Sequence, residues 1–303
     1  MKVWIDGEIR AAEEAKIGIF DRAVLFGESI YEGVRICGGR APMLERHRRR
    51  LAAGLAAIGL DAALADRLDG AVTDLLHAEP DAEGLLYLQV TGGGVPGIRR
   101  HARGQGDDGP GRIFAFITPG EPVPETPMAV RAVRTEDRRW RGCGVKTTNL
   151  LANVLALTQA DRAGAEEAVL IADGRVAEGA YTSVFVVRND VLHTTPTDAD
   201  PPILPGVTRE VLIERLAANG VPIREQALPA SCLDDASEIL ITSSRRLVSA
   251  VTALDGAPVG TGTPGPVARR CLELLREAYL GPGTSPTRPS ESTIPTPRQE
   301  STP

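Results

Sequence analysis

Three kinds of residue in this chain could together perform nucleophilic chemistry: an isolated lysine, a placed carboxylate, and segments rich in hydroxyl and backbone N–H donors. Only three of the 34 basic residues are lysines, namely Lys2, Lys16 and Lys146. Arginine stays protonated, whereas a buried lysine can act as an amine nucleophile. Lys2 and Lys16 belong to polar N-terminal stretches and are expected at the surface. Lys146, in the middle of the chain, is therefore the candidate nucleophile, and an ordinary surface lysine is the alternative.

Two segments have the composition of a phosphate-binding site. In the first, residues 203–209, a loop passes through Gly206 and a predicted helix opens at Thr208. The glycine permits close approach of the backbone, and the positive end of the helix dipole attracts an anion. In the second, a predicted strand over residues 238–242 runs into the hydroxyl groups of Ser243 and Ser244. Taken alone, the two segments are equally typical of a plain helix cap and of a strand end.

A carboxylate completes the set. Glu178 is followed by Gly179 between two predicted strands, and by itself this pair is typical of a turn. One nucleophilic lysine, two phosphate-binding segments and one carboxylate are the components of a pyridoxal phosphate site. In such a site the lysine forms a Schiff base with the cofactor, and the carboxylate keeps the pyridine nitrogen protonated.

The composition argues against several other functions. A net charge of −6 and a pI of about 5.4 disfavour a nucleic-acid-binding surface. No apolar run approaches the roughly 20 residues of a membrane span, and the N-terminus becomes polar too early for a signal peptide. The cysteines are scattered without paired spacing, which is typical of reduced thiols and predicts a cytoplasmic protein. The four histidines are dispersed, so no metal site is predicted.

Motifs of other enzyme classes are absent from the sequence. We find no P-loop, no H-E-x-x-H, no C-x-x-C and no G-x-S-x-G. Gly260, Gly262 and Gly265 match the spacing of a dinucleotide-binding fingerprint. However, Pro264 lies inside this segment and no convincing strand precedes it, so a loop is predicted.

Hydrophobic periodicity predicts an α/β (α+β) protein of two domains. Residues 1–118 are expected to form a small α/β domain, with strands at 3–5, 17–19, 29–37, 40–44, 85–91 and 112–118 and helices at 44–60 and 62–77. Residues 119–127 contain four prolines and are the predicted linker. Residues 128–280 form the predicted cofactor-binding domain. Residues 281–303 have almost no apolar pattern and are predicted to be disordered.

From about Phe26 to about residue 280, the chain resembles the class IV aminotransferases, which are fold-type IV pyridoxal phosphate enzymes. The matching stretches occur in the family's order, at residues 26–35, 47–51, 140–153, 178–179, 204–209 and 242–244. The family includes D-amino acid transaminases, branched-chain aminotransferases, R-selective amine transaminases and aminodeoxychorismate lyases. The resemblance implies two α/β domains with the cofactor between them, in a homodimer whose partner contributes to the pocket.

The resemblance also implies a role for each matching residue. Lys146 would link to the cofactor and shuttle the proton between the substrate Cα and the cofactor. Glu178 would pair with the pyridine nitrogen, and Tyr31 would lie near the substrate and Lys146. The remaining cofactor contacts would come from a phosphate-gripping arginine, a leucine under the ring, and the two donor segments: Arg50, Leu204, Val207, Thr208, Ser243 and Ser244.

Within the family, residues 137–151 and 87–93 are most similar to D-amino acid transaminases. The segment 32–35 is closer to the branched-chain enzymes, although Leu88 and Gln89 replace the arginine–proline pair that those enzymes have there. The favoured function is transfer of an amino group from an amino acid, preferably a D-amino acid, to a 2-oxo acid such as 2-oxoglutarate or pyruvate. The alternatives are a branched-chain L-amino acid aminotransferase, an aminodeoxychorismate lyase and a non-catalytic binder of phosphate ligands.

Two segments are candidates for holding the substrate carboxylate. D-amino acid transaminases resemble this chain in having an arginine and a histidine closely after a proline, which here suggests Arg99, Arg100 and His101. Arg245 is the second candidate, because a planar guanidinium near the hydroxyl cluster can clamp a carboxylate. It is followed by Arg246, at positions where the family commonly has small residues.

Overall fold

The structure, a computed structural model, describes residues 1–97, 101–103 and 109–281. Within these ranges there are fifteen strands and six α-helices. The strands are β1 (Lys2–Ile5), β2 (Glu8–Ala11), β3 (Ser29–Ile36), β4 (Gly84–Thr91), β5 (Ile113–Pro119), β6 (Met128–Glu136), β7 (Glu167–Ala172), β8 (Arg175–Gly179), β9 (Ser183–Arg188), β10 (Val191–Thr194), β11 (Ile223–Glu225), β12 (Leu228–Pro229), β13 (Glu238–Ser243), β14 (Leu247–Leu254) and β15 (Ala257–Pro258). The helices are α1 (Arg22–Phe26), α2 (Leu44–Ala57), α3 (Arg67–Ala78), α4 (Leu151–Arg162), α5 (Val207–Ala218) and α6 (Pro266–Leu280).

The N-terminal part forms an antiparallel sheet of five strands in the order β2-β1-β5-β4-β3. Successive side chains of a strand point to opposite faces, and β3 shows the consequence. Ile30 and Val34 are fully buried against the apolar sides of α2 and α3. Tyr31 and Gly33, on the opposite face, line a cavity. One strand therefore supplies both the core of the small sheet and a wall of the site.

The C-terminal part forms a mixed sheet in the order β11-β10-β9-β13-β14-β6-β7-β8-β12, with β15 paired to β14. The pairs β10–β11, β14–β6 and β6–β7 are parallel, and the other neighbours are antiparallel. Helices α5 and α6 pack on it through Leu212, Leu216 and Leu275, against Phe185 and Leu240. Helix α4 covers β7 with small alanine side chains. The N-terminus of α5 is thereby held at one end of the sheet.

Main-chain contacts join the two sheets. The backbone N–H of Tyr31 donates to the Lys146 carbonyl at 3.1 Å, and the Thr148 N–H donates to the Ser29 carbonyl at 3.3 Å. The proline-rich segment after β5 is also anchored. Arg35 donates to the Glu121 carbonyl at 2.6 Å, and Arg276 donates to the Val123 carbonyl at 2.8 Å. The segment that contains Lys146 therefore lies along the edge of the small sheet.

Several secondary-structure predictions were wrong. Residues 17–19 form no strand, and Ile19 is 73% exposed, so its apolar side chain is not the mark of a buried strand. The predicted strand 40–44 reduces to one isolated bridge between Cys37 and Arg40, because α2 already begins at Leu44. Glu178 lies in strand β8 and not in a turn. The predicted loop at residues 260–265 is confirmed, whereas residues 282–303 of the predicted tail lie outside the described ranges.

None of the helices in the described ranges is long and apolar enough to cross a membrane. The same residues contain no cluster of three or more potential metal ligands. The exact bounds predicted for the two domains and their linker stay predictions.

Candidate active site

A cavity of about 450 Å³ lies between the two sheets, and Lys146 projects into it. Its Nζ is 3.3 Å from the Tyr31 hydroxyl and 4.3 Å from the centroid of the Tyr31 ring. Burial, followed by the charge of Arg50, lowers the pKa of Lys146 to about 8. A substantial fraction of this amine is therefore neutral near physiological pH, which is what a nucleophilic lysine requires.

Arg50 enters the cavity from α2 on a buried support. Its Nε and Nη2 donate to the two oxygens of Glu32, both at 2.7 Å, and its Nη1 donates to the Pro205 carbonyl at 3.0 Å. His47, one helical turn before Arg50, contacts the same carboxylate through Nδ1 at 2.7 Å. The charge of Arg50 lowers the pKa of Glu32 well below its usual range, against the effect of burial. Glu32 lies on the helix-facing side of β3, which explains why it meets α2.

These contacts leave part of Arg50 free for a ligand. A guanidinium has five N–H donors, and the bonds to Glu32 and Pro205 use three of them. One donor remains on each terminal nitrogen. Charge-assisted N–H donors of this kind are those with which arginine binds phosphate oxygens.

The N-terminus of α5 provides the second part of an anion site. Gly206, the residue before the first helical residue Val207, has an extended backbone (φ −66°, ψ 127°) and no side chain that could cap the helix. The first N–H groups of the helix are thus open to an anion at the positive end of its dipole. Gly206, Val207 and Thr208 all line the cavity. A Cβ added at Gly206 would lie 2.8 Å from the Ser183 hydroxyl, so this position has no room for a side chain.

The hairpin between β13 and β14 brings further hydroxyl groups to the cavity. Ser243 pairs with Leu247 and closes a turn of three residues that begins with Ser244. Both serines line the cavity. The buried hydroxyl of Thr242 has no hydrogen-bond partner within the described part of the chain. The predicted phosphate-binding segments therefore converge on one space, as the sequence analysis expected.

Glu178 occupies the wall opposite to the small sheet. Its Oε1 accepts from the Leu204 N–H at 3.0 Å and from Arg139, which also binds Asp137 through Nε at 2.9 Å. Burial raises the pKa of Glu178, and the charge of Arg139 opposes that rise. Its second oxygen takes part in none of the hydrogen bonds given by the described residues, so it is available to a protonated nitrogen in the cavity.

Aromatic side chains form the wall on the small sheet. Tyr31 stacks on Tyr87 with 5.5 Å between ring centroids, and Tyr87 stacks on Phe116 at 5.2 Å. Burial and the charge of Glu32 raise the pKa of Tyr31 to about 12. The hydroxyl beside Lys146 is therefore protonated at physiological pH and can donate as well as accept.

The residues predicted to bind the substrate are only partly gathered here. Tyr31 and Arg245 line the cavity, together with the predicted cofactor residues. His101 lies outside it, in a smaller neighbouring pocket where its ring centroid is 5.2 Å from that of Phe26. Arg99 and Arg100 lie outside the described ranges. The roles predicted for these three residues stay predictions.

Sequence reasoning missed the residues that support the site. Glu32 enters the sequence analysis only within the matching segments 26–35 and 32–35, and Arg139 only within segment 137–151. The available signal was the acid beside Tyr31 at a position that alternation places on the helix face, and the spacing of Asp137 and Arg139. Neither signal reveals which distant residue binds Glu32 or Arg139, because each of these contacts joins two separate segments of the chain.

The arrangement fits pyridoxal 5′-phosphate. The uncapped helix end, the two free donors of Arg50 and the hairpin hydroxyls match a phosphate group. The free oxygen of Glu178 matches a protonated pyridine nitrogen, and the amine of Lys146 matches an aldehyde. All of these groups border the same cavity.

Comparison with known proteins gives the same family. A family model described as amino-transferase class IV matches residues 29–254. The chain is 35% identical over 282 residues to the D-alanine aminotransferase of Bacillus licheniformis, covering 92% of this chain and 98% of that protein. The branched-chain aminotransferase of Thermoproteus uzoniensis, solved with norvaline, matches with a TM-score of 0.81 and 24% identity over 93% of this chain and 96% of that one.

A hypothetical aminotransferase from Mycobacterium tuberculosis, solved in its PLP-bound form, matches with a TM-score of 0.77. It is 25% identical, and the match covers 92% of this chain and 99% of that one. The predicted family, fold, enzyme class and cofactor are confirmed. The chain belongs to the class IV aminotransferases and is a pyridoxal 5′-phosphate-dependent transaminase of the two-domain fold-type IV architecture.

Proposed function

We propose that this transaminase takes the amino group of D-amino acids, D-alanine among them, and delivers it to a 2-oxo acid such as 2-oxoglutarate or pyruvate. The observation that supports the D-amino acid is the 35% identity to a D-alanine aminotransferase over 92% of the chain. The branched-chain enzyme, at 24% identity, supports only the fold. A branched-chain L-amino acid donor and the lyase activity are therefore the alternatives that the experiment has to separate.

Pyridoxal phosphate, when bound, supplies an aldehyde that reacts with amines and a ring that accepts electrons. Lys146 is the residue that would take the proton from the substrate Cα and return it, because its amine has a pKa of about 8 and borders the cavity. The protonated Tyr31 hydroxyl, 3.3 Å from Nζ, orients that amine. Proton transfer by a positioned amine of this pKa is efficient near neutral pH.

The other residues would fix the geometry. Arg50, the N-terminus of α5 and the two serines would hold the phosphate, while Glu178 would hold a proton at the pyridine nitrogen. Because these contacts would hold the cofactor at its phosphate and at its pyridine nitrogen, they would leave it little freedom to rotate within the cavity. Such fixed orientation of the reacting bond accounts for a large part of catalysis in enzymes of this kind.

The test is a panel of D- and L-amino acids, each with 2-oxoglutarate or pyruvate, read by product formation and by the visible spectrum of the enzyme. Turnover with D-alanine and not with L-leucine is expected. A preference for L-leucine would overturn the proposal in favour of a branched-chain enzyme, and pyruvate release from aminodeoxychorismate without an acceptor would indicate the lyase.

The Lys146→Ala variant tests whether Lys146 links to the cofactor and is required for turnover. We expect it to lose turnover and the visible absorbance of the linked cofactor, and borohydride reduction should label only the peptide that contains residue 146. Lys16→Ala, at an exposed lysine, is the control and should leave both unchanged.

We also propose that the enzyme is a cytoplasmic homodimer. Helix α4 exposes a stripe of apolar side chains at helical spacing, with Leu151 72%, Val154 48% and Leu155 60% exposed. Apolar stripes of this kind are typical of surfaces that bind another protein, and a second copy is the occupant that the family resemblance suggests. All four cysteines are free and buried, which is compatible with a reducing compartment.

A further inference from the structure

The cavity contains more positive charge than its own carboxylates neutralise. Its lining includes five arginines, at positions 50, 139, 209, 245 and 246. The first three form ion pairs with Glu32, with Asp137 and Glu178, and with Glu225. Within the described ranges, the guanidinium groups of Arg245 and Arg246 have no ion pair and no hydrogen bond.

Burial distinguishes the two unpaired arginines. Arg245 is exposed, so water can solvate its side chain, whereas Arg246 is half-buried. A charge that loses part of its hydration without gaining a partner costs free energy, and an anion in the cavity would remove that cost.

The nearest candidate for an internal partner is already engaged. Burial raises the pKa of Glu167, and the charge of Arg246 is among the effects that oppose this rise, so the two groups interact electrostatically. However, Glu167 Oε1 accepts from the N–H groups of Ala168 and Ala180 at 2.8 and 3.1 Å, and Oε2 accepts from the Thr182 hydroxyl at 2.8 Å. No contact within ion-pair distance joins Glu167 to Arg246 in the structure.

The backbone that presents Arg246 is held in place. Its carbonyl accepts from the Val248 N–H at 2.8 Å, and Leu247 has a left-handed φ of 59° that closes the hairpin turn. Behind the turn, the buried Arg35 donates to the Arg245 carbonyl at 2.8 Å. A side chain on a fixed turn loses less freedom when it binds a ligand, which favours recognition.

We propose that Arg246 forms an anion subsite of the cavity and holds a carboxylate of the amino acid or 2-oxo acid substrate. This inference rests on the proposed transamination of amino acids. A planar guanidinium matches a carboxylate with two parallel hydrogen bonds, which lysine cannot reproduce. Arg50 is presented by α2 and is bound to Glu32 and Pro205, whereas Arg246 belongs to the turn between β13 and β14, so the proposal assigns the two arginines to different anions.

The test uses the holoenzyme with Arg246→Gln and Arg246→Lys, and with Arg175→Gln as the control at an exposed arginine outside the cavity. Three quantities are measured: KM and kcat for 2-oxoglutarate and pyruvate, and the dissociation constant of glutarate, a dicarboxylate with no group to transfer. We expect Arg246→Gln to raise KM and the glutarate dissociation constant by about 10- to 100-fold. Arg246→Lys should recover only part of the affinity, and Arg175→Gln should change neither quantity.

The pair of oxo acids identifies which carboxylate is held. An effect on both substrates assigns Arg246 to the carboxylate next to the reacting carbon, and an effect on 2-oxoglutarate alone assigns it to the distal carboxylate. Unchanged values in Arg246→Gln, or an equal effect of Arg175→Gln, would overturn the subsite even in an active transaminase. If the wild-type enzyme turns over no amino acid, the proposed function fails, and glutarate binding still decides whether the subsite exists.

Discussion

The lowered pKa of Lys146 leads to a prediction that can be tested on this residue alone. A lysine with a pKa of about 8 is neutral in about one molecule in ten at pH 7, against about one in three thousand at the usual 10.5, a ratio of about 300. Burial is the main cause, and the positive charge of Arg50 adds to it. Glu32 and Glu178 act in the opposite direction. The reactivity of this amine should therefore rise through pH 8 and level off above about pH 9.

The assay is competitive labelling of the cofactor-free protein with an amine-reactive reagent at pH 6 to 10, followed by peptide mapping. The chain contains only two other lysines, Lys2 and Lys16, and both are exposed. Their peptides serve as exposed references in the same digest. Glu178→Gln should move the Lys146 profile to lower pH, because it removes a negative charge that favours the protonated amine.

An identical pH profile for Lys146 and Lys16 would refute the lowered pKa of Lys146. A low labelling rate at every pH would reflect restricted access and not protonation, so the midpoint of the profile is compared and not its height. A midpoint that stays in place in Glu178→Gln would show that the carboxylate does not act on the amine.

Three further outcomes are expected. Glu32→Gln leaves Arg50 without its buried counter-charge and should lower the free energy of unfolding by about 3–5 kcal/mol, measured by urea denaturation. Folding lowers the pKa of Glu32, so the stabilisation by this carboxylate is fully present above its ordinary pKa. It is lost progressively as the pH falls from the ordinary pKa towards the lowered pKa of the folded state. Glu178→Gln should reduce the half-reaction rate by about 100-fold or more while the cofactor stays bound, measured by stopped-flow absorbance. Leu155→Glu places a charge in the apolar stripe of α4 and should yield particles of 32.1 kDa in sedimentation, in place of a dimer.

Each of these variants has a matched control in the chain. Glu136→Gln removes an exposed carboxylate whose one ion pair among the described residues is with the exposed Arg138, so it should leave stability and rate unchanged. Thr73→Glu adds the same negative charge at an exposed position of helix α3, outside the apolar stripe of α4, and should leave the dimer intact. A stable Glu32→Gln protein, an unimpaired Glu178→Gln enzyme or a dimeric Leu155→Glu variant would each contradict the corresponding reasoning.

The regular elements of the site could be predicted from the sequence because their signals are local. Alternating apolar residues predicted β3 and β4, and the loop–helix boundary at Gly206 predicted the start of α5 to within one residue. The scarcity of lysine pointed to Lys146 without any knowledge of its surroundings. These features depend on residue type and spacing within a short segment.

The supporting contacts could not be predicted because they join distant segments. Arg50 and Glu32 are 18 residues apart, and Arg139 and Glu178 are 39 apart, on elements whose packing no local pattern specifies. Strand β8 was missed because Arg175 to Gly179 is short and contains a charged residue, and its pairing with β7 outweighs its weak propensity. The prediction of substrate residues after Pro96 depended on loop spacing, which tolerates insertions and gives little positional information.

The attachment of the Lys146 segment to β3 means that the chemistry is divided between two structural supports. The amine, the tyrosine beside it and the arginine on α2 are attached to the five-stranded sheet or its helix, whereas Glu178, the helix end and the hairpin belong to the larger sheet and its helix. A relative shift of one ångström between the sheets would misalign donor and acceptor without unfolding either of them. Substitutions at the contact between the sheets, far from any ligand, should therefore lower turnover well before they lower thermal stability.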